Sequence, residues 1–400
     1  MFKKSLWLIF LAAQLSFAQN IQSLIDKSLE QNYTIQGLEK AIKTADENIK
    51  LSTKWQNPTL TFGVNDVQSG DISRRDLEPM QAQYIGVSQV VPLSSRLDIQ
   101  EQIAKKDRAI TALVLEDKKL QLKSKIIELG YSIVVLEKKK ALFKTYLHNI
   151  EQLKALTTAL YENDQTLQTE SLNVEVLYHK TLLNIERLDN IIANLYLKLE
   201  EITQQKVEHL EVALETTQKH LNIDYLSHPK IKIQELKIKR FLDQEALEYE
   251  KKIPDVKLNM AYFQRDDKYE DYFNFSLGIP LAIYGSENIK ALQAKSKSYE
   301  ERSKLEDLKT NFQTNIAQIQ NELDMSIRAL EILQQSIIPT KQKMQEAVEV
   351  YNSLQKIKPQ AVIQNLNELI SFEFEVLDEQ KNYYNNLAQA IYYGYAWSNQ

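Results

Sequence analysis

The side chains able to do covalent or metal chemistry are few and scattered. Five histidines, His148, His179, His209, His220 and His228, are the only imidazoles, and they are not spaced as a metal cluster. Cysteine is absent, which removes disulfides, thiolate metal sites and a lipid-modified cysteine. No Gly-x-Ser-x-Gly elbow, phosphate-cradling loop, dinucleotide fingerprint or His-Glu-x-x-His motif occurs. The aromatic group Tyr383, Tyr384, Tyr392, Tyr393, Tyr395 and Trp397 reads as helix packing rather than a ligand box. Neither catalysis nor a bound cofactor or metal is expected. What remains is the chemistry of faces, charged or apolar, which sort segments among water, lipid and other helices.

The elements that carry those faces occur in a repeated order, a pair of alternating strands followed by a very long helical stretch. Between Pro92 and Pro229 the one glycine is Gly130 and there is no proline, so nothing forces the backbone out of helix. Strand-like pairs precede each stretch, at 59–67 with 81–92 and at 255–264 with 272–280. Pro92 to Pro280 is 188 residues, Tyr161 to Tyr351 is 190, and Pro58 to Pro254 is 196. A period of that length marks duplication of a whole structural half. The division expected is a leader over 1–18, a first half over 19–226 and a second over 227–400.

The leader reading rests on Lys3 and Lys4, an apolar run from Leu6 to Leu15, and Ser16-Phe17-Ala18 before Gln19, the pattern of a secretory signal. Export of the mature chain is expected. No other stretch approaches the ~18 apolar residues of a spanning helix, so membrane insertion would have to use strands. A net charge of −5 argues against nucleic acid as a partner. Charges such as Lys118, Lys119, Lys123, Lys125 and Glu128 read as a solvated helix face.

In the first long stretch Leu115, Leu122, Ile126, Leu129, Ile133, Leu136, Phe143, Leu147 and Ile150 follow alternating steps of four and three in which Lys119 and Lys140 are the exceptions, a coiled-coil seam. A second series, Leu113, Leu120, Ile127, Val134 and Ala141, repeats every seven residues on another side. Two seams need two neighbours, so this helix is a stave in a wall of helices. The stretch from Ser94 to about Ala159 would run on the order of 100 Å. Its turn is expected near Asn163 and Asp164, and the corresponding second turn between Leu354 and Pro359.

The strands alternate. Leu60, Phe62 and Val64 oppose Thr59, Thr61 and Asn65; Leu258 and Met260 oppose Lys257 and Asn259; Phe273, Phe275 and Leu277 oppose Asn274 and Ser276. Ile85 and Val87 are the apolar side of the remaining segment. Short segments with one apolar and one polar face have the pattern of membrane barrel strands, apolar toward lipid and polar toward the lumen. Four strands cannot close a barrel, and an open edge is forbidden in lipid, so the chain would have to oligomerise. Two, three or four copies would each supply enough strands.

Taken in order, these segments resemble the TolC-type outer-membrane efflux channels, the outer-membrane factor family. The resemblance rests on Ser28-Leu-Glu-Gln-Asn32, a helix ending Trp55-Gln-Asn-Pro58, and Gly86-Val-Ser-Gln-Val-Val-Pro-Leu93. The second half repeats it in Ser227-His-Pro229, Lys252-Ile-Pro254 and Leu277-Gly-Ile-Pro-Leu281. It covers the mature chain, and the metal-cation and small-molecule resistance branch looks most similar. It implies a mostly α fold in which a homotrimer forms a twelve-stranded barrel in the outer membrane on a tapered twelve-helix periplasmic tunnel. It also implies a passive conduit served by a periplasmic adaptor and an inner-membrane pump. A soluble periplasmic coiled-coil scaffold or adaptor is the alternative, though an adaptor would have one helical hairpin and glycine-rich flanks. The family's Tyr-x-x-Gly tip stretches read here Tyr161-Glu-Asn-Asp and Tyr351-Asn-Ser-Leu, without the glycine, and Gln360 and Ile363 stand where some relatives carry acids. The tip groups available for a gate are then Glu162, Asp164 and Glu170 on the first hairpin, with Lys356, Lys358 and Gln360 on the second.

Overall fold

The structure is a computed structural model describing residues 20–68, 70, 74–163, 167–210, 212–353 and 359–396. The leader reading over 1–18 lies outside the described residues. Chain order is α1 (Ile21–Gln31), α2 (Tyr33–Ser52), β1 (Thr59–Asn65), β2 (Ala82–Val91), α3 (Arg96–Glu162) and α4 (Gln168–Thr203). There follow a short 3-10 turn, α5 (Pro229–Glu250), β3 (Val256–Gln264), β4 (Tyr272–Gly278), α6 (Ser286–Ile332), a π turn (Leu333–Ile337), α7 (Ile338–Ser353) and α8 (Pro359–Tyr392). Two compact units form, and each draws on both halves of the chain. One comprises 37–117 with 226–310; the other comprises the chain through Gln36, 118–225, and 311 onward.

In the first unit the four strands make one antiparallel sheet in the order β1-β2-β3-β4, so the two strand pairs are joined through β2 and β3. Helices of the two halves are tied by charge. Across the halves Arg240 pairs with Asp107 at 2.5 Å, Lys106 with Asp243, and Arg96 with Asp255 just before β3 at 2.6 Å, whereas Arg108 pairs with Asp46 at 3.0 Å within the first half. His228, one of the scattered imidazoles, is buried and caps α5 by accepting from Lys230 N–H at 3.2 Å. Pro229 follows at the first helical position, where its missing N–H costs nothing.

The second unit is a helical core. Ile126, Leu129 and Ile133 of one seam and Ile127 and Val134 of the other are buried in the same cluster, with Leu199, Leu323 and Ile391. Both seams therefore find neighbours, but only where helices surround α3: residues 131–136 are buried all round, whereas Ala141, assigned to the second seam, is exposed. Gly130 is the lone glycine of α3 for a steric reason. A Cβ there would come within 2.8 Å of Ile21 Cδ1. Asn20 caps α1, and Asn32 both caps α2 through Thr34 N–H at 2.9 Å and donates to Ile202 O at 3.0 Å.

Tyr383 and Tyr384 of the aromatic group are packed in this core, with Tyr393 and Tyr395 against it, and Trp397 lies outside the described residues. Tyr131 and Tyr384 stack at 3.7 Å, and burial pushes the Tyr131 phenol up to about 12. The hydroxyls of Tyr383 and Tyr384 donate to Thr217 O and Glu215 O at 2.7 and 2.8 Å. Gln320 accepts from Leu221 N–H at 2.7 Å and donates to Lys219 O at 2.9 Å, so a side chain stands in for a strand partner and satisfies the extended backbone before α5.

Candidate functional site

The register fixes which side chains share a face. Leu60 lies opposite Val87, Phe62 opposite Ile85, Val87 opposite Met260, Ile85 opposite Tyr262, Leu258 opposite Leu277, Met260 opposite Phe275 and Tyr262 opposite Phe273. All the residues expected to face lipid, Leu60, Phe62, Val64, Leu258, Met260, Phe273, Phe275 and Leu277, thus fall on one side of one sheet. They are exposed, Phe62 at 69% and Phe275 at 70%, so no part of the described chain covers that side. Thr59, Thr61, Asn65, Lys257, Asn259, Asn274 and Ser276 share the opposite side with Gly63, Gly86, Ala261 and Gly278. Asn259 donates to Ser276 Oγ across the strands at 3.1 Å.

Sequence reading did not single out the aromatic end of that polar side. Gly63, Tyr84, Phe263 and Tyr272 are successive cross-strand partners. Tyr84 stacks on Phe263 with centroids 5.0 Å apart, and Phe263 on Tyr272 at 4.8 Å with planes 1° apart. The signal was the phase: Phe263 continues Lys257, Asn259 and Ala261, and only pairing shows that it has neighbours of its own kind. Beyond the strands, Arg265 donates to Glu270 O at 2.6 Å and to Pro79 O at 3.3 Å. Arg75 donates to Gln264 Oε1 at 3.2 Å, which ties the two strand-connecting loops.

The hairpin ends are described in part. Glu162 is exposed at the last turn of α3, and Glu170 is half-buried in the first turn of α4, where a carboxylate complements the helix dipole. Asp164, Lys356 and Lys358 lie outside the described residues. Gln360 stands in the first turn of α8, and its side chain is outside what is described. Back from the ends, among the described residues, the first hairpin carries two cross-helix ion pairs, Lys154 with Glu175 at 2.9 Å and Lys140 with Asp189, and the second carries Lys341 with Glu368. Lys154 and Lys341 hold the Glu175 and Glu368 carboxyls below the usual carboxylate range, chiefly by hydrogen bonding. Among the described residues no group of three or more acids and histidines could hold a metal, and no helix is long and apolar enough to cross a membrane.

No family model and no curated protein matches the sequence. The backbone does match solved outer-membrane channels. A structure of CusC, from a study of transmembrane channel formation, aligns with a TM-score of 0.77 at 12% identity over 95% of this chain and 93% of that one. The CmeC outer membrane channel of Campylobacter jejuni aligns at 0.76 and 12% over 95% and 87%. The open state of the MtrE outer membrane channel of Neisseria gonorrhoeae aligns at 0.77 and 15% over 93% and 88%. The fold is therefore that of these channels, mostly helical with a small β-sheet, along nearly the whole chain.

Proposed function

We propose that this chain is the outer-membrane channel of a tripartite efflux system, a passive conduit that carries substrates delivered by an inner-membrane pump and a periplasmic adaptor. The observation carrying it is the sheet, whose apolar side is exposed on all four strands at once. Such a face needs lipid, and an open four-stranded edge needs further copies of itself. The likeness to channel structures supports the same reading, in which three copies close a twelve-stranded barrel, lipid outside and the polar side lining the lumen. The halves 19–226 and 227–400 then act as duplicated modules, each giving a strand pair to the barrel and a hairpin to the periplasmic part. A soluble scaffold would have no use for the exposed Phe62, Phe273 and Phe275.

Purified protein added to planar bilayers should give discrete conductance steps and should need detergent to stay dispersed. Full solubility without detergent together with an absence of channels would overturn the reading. A resting conduit must be narrow somewhere, and the hairpin ends, with Glu162, Asp164 and Glu170 against Lys356, Lys358 and Gln360, are the proposed gate. Converting Lys356 and Lys358 to glutamate should raise single-channel conductance. Unchanged conductance with an intact oligomer would take these residues out of the gate. Cysteines placed at 163 and 357 should cross-link to the adaptor, and labelling of those sites from outside intact cells would reverse the orientation.

A further inference from the structure

The lumen side of the sheet has a chemical character that says what should pass. Along four strands it presents hydroxyls, amides, alanine, valine and glycine, one cation, Lys257, and no carboxylate. Pores for cations carry rings of acidic groups and pores for anions carry lysine or arginine. At the loop end the wall becomes aromatic through the row Tyr84, Phe263 and Tyr272. The faces of these rings are occupied. Phe263 is sandwiched at 5.0 and 4.8 Å. Tyr84 lies over Gly63, where a Cβ would come within 2.4 Å of the ring. Tyr272 has the Arg265 guanidinium 5.2 Å from its centroid. What a solute meets is the rim of half-buried Tyr84 and Tyr272, with Phe263 buried between them, and the rim is the positive end of the aromatic quadrupole. Cations are drawn to ring faces, which are taken, whereas an aromatic solute can lay its own electron-rich face against the rims.

We propose that the Tyr84, Phe263 and Tyr272 row, with Lys257 on the same wall, makes this lumen selective for neutral or anionic aromatic organic molecules over hydrated metal cations. This rests on the channel reading and deepens it by naming the substrate class. Phe263 would be central, since it bridges the other two rings. Gly63 would be required because any side chain there would displace Tyr84.

The test is electrical, on the full chain in planar bilayers. Under a potassium chloride gradient the reversal potential should show anion preference, and Lys257→Glu should reverse its sign. With 2-naphthalenesulfonate and cyclohexanesulfonate as probes of equal charge, the aromatic probe should give the longer current blocks. In Phe263→Leu, which keeps apolar bulk, the ratio of block durations should fall about 2- to 12-fold, the range expected for losing one aromatic pairing. Tyr272→Leu should act in the same direction and serves if the first variant fails to assemble. Equal block durations for the two probes in the unaltered protein, or a cation-selective channel, would overturn the proposal while leaving the conduit standing. Absence of any channel would remove both.

Discussion

The helical unit and the sheet spend their apolar residues in opposite ways. Ile126, Ile127, Ile133 and Val135 on α3 are inaccessible, whereas Phe62, Phe275 and Leu277 on the strands are more than half exposed. The side chains are of the same kind; what differs is who supplies the other surface. Around residues 126–136 the same chain supplies it, through α1, α4, α6 and α8. For the sheet it must come from outside. The hydrophobic effect rewards removal from water and does not specify the partner, so one sequence can build a region that closes on itself beside one that closes only against its surroundings.

The largest effect should come from the region that closes on itself. Ile133→Ala removes a fully buried side chain and should destabilise the protein by about 2–5 kcal/mol, read from denaturant unfolding in detergent. Phe275→Ala should cost much less in the same assay, because detergent replaces what the ring loses. Equal losses would mean that the sheet face packs against protein, and the comparison would fail.

Bilayer experiments sharpen the same contrast from the other side. Met260→Arg, on the apolar face, should cost ~2–4 kcal/mol near the bilayer midplane, whereas Asn259→Arg, one residue away on the polar face, should be tolerated. The yield of folded oligomer after refolding into vesicles reads this directly. Similar yields for both variants would break the assignment of faces.

The duplicated strand pairs and long hairpins were legible in the sequence because they depend on short-range rules. Alternation marks a strand face, and an unbroken run without proline marks a long helix. The aromatic row was not legible. Phe263 is one residue at the end of a polar phase, and Tyr84 and Tyr272 join it only once the register is known. The stitching of the extended segment by Gln320 depends on a contact about a hundred residues away in sequence, between groups that each look like ordinary polar surface. The seams of α3 were visible, yet the exposure of Ala141 follows from where the surrounding helices stop, which periodicity does not record.

The two hairpins differ in a way that the repeat alone did not suggest. α3 is continuous for 67 residues, whereas its counterpart comprises helices of 47 and 16 residues either side of a five-residue π turn, one residue more in all. A π turn absorbs an inserted residue without breaking the helix, and Pro339 just beyond it lacks the N–H that a regular ladder would use. Beside it lies a cavity of about 340 Å³ lined by Lys138, Leu142, Gln334, Ile338 and Glu373. Burial pushes the Glu373 carboxyl above its usual 4.5. An acid with a raised folded value opposes folding above that value, and the opposition vanishes as pH falls through it toward and below 4.5. Glu373→Gln should therefore raise the melting temperature at pH 7 by roughly 1–2 °C and have no effect at pH 4. A rise of equal size at both pH values would show that charge burial is not the cause.

The smallest effect should separate the hairpins by their ion pairs. Lys154–Glu175 and Lys341–Glu368 occupy matching places, but the first braces a hairpin whose long helix is continuous and the second one that is interrupted. Both carboxyls are held below 4.5 by their lysines, so what each pair contributes is present above 4.5 and lost as pH falls through the lower folded value. Both pairs are solvent-screened, and global stability should barely change in Glu175→Gln or Glu368→Gln. Local opening is another matter, because a helix already interrupted has fewer regular backbone bonds to hold its end in place. Amide exchange at neutral pH should therefore quicken over α7 in Glu368→Gln more than over residues 150–162 in Glu175→Gln, with the difference shrinking as pH falls below 4.5 and through the lowered folded values of the two carboxyls. Equal acceleration in the two hairpins would mean that the π turn does not weaken the second, and the contrast between them would reduce to a difference in length.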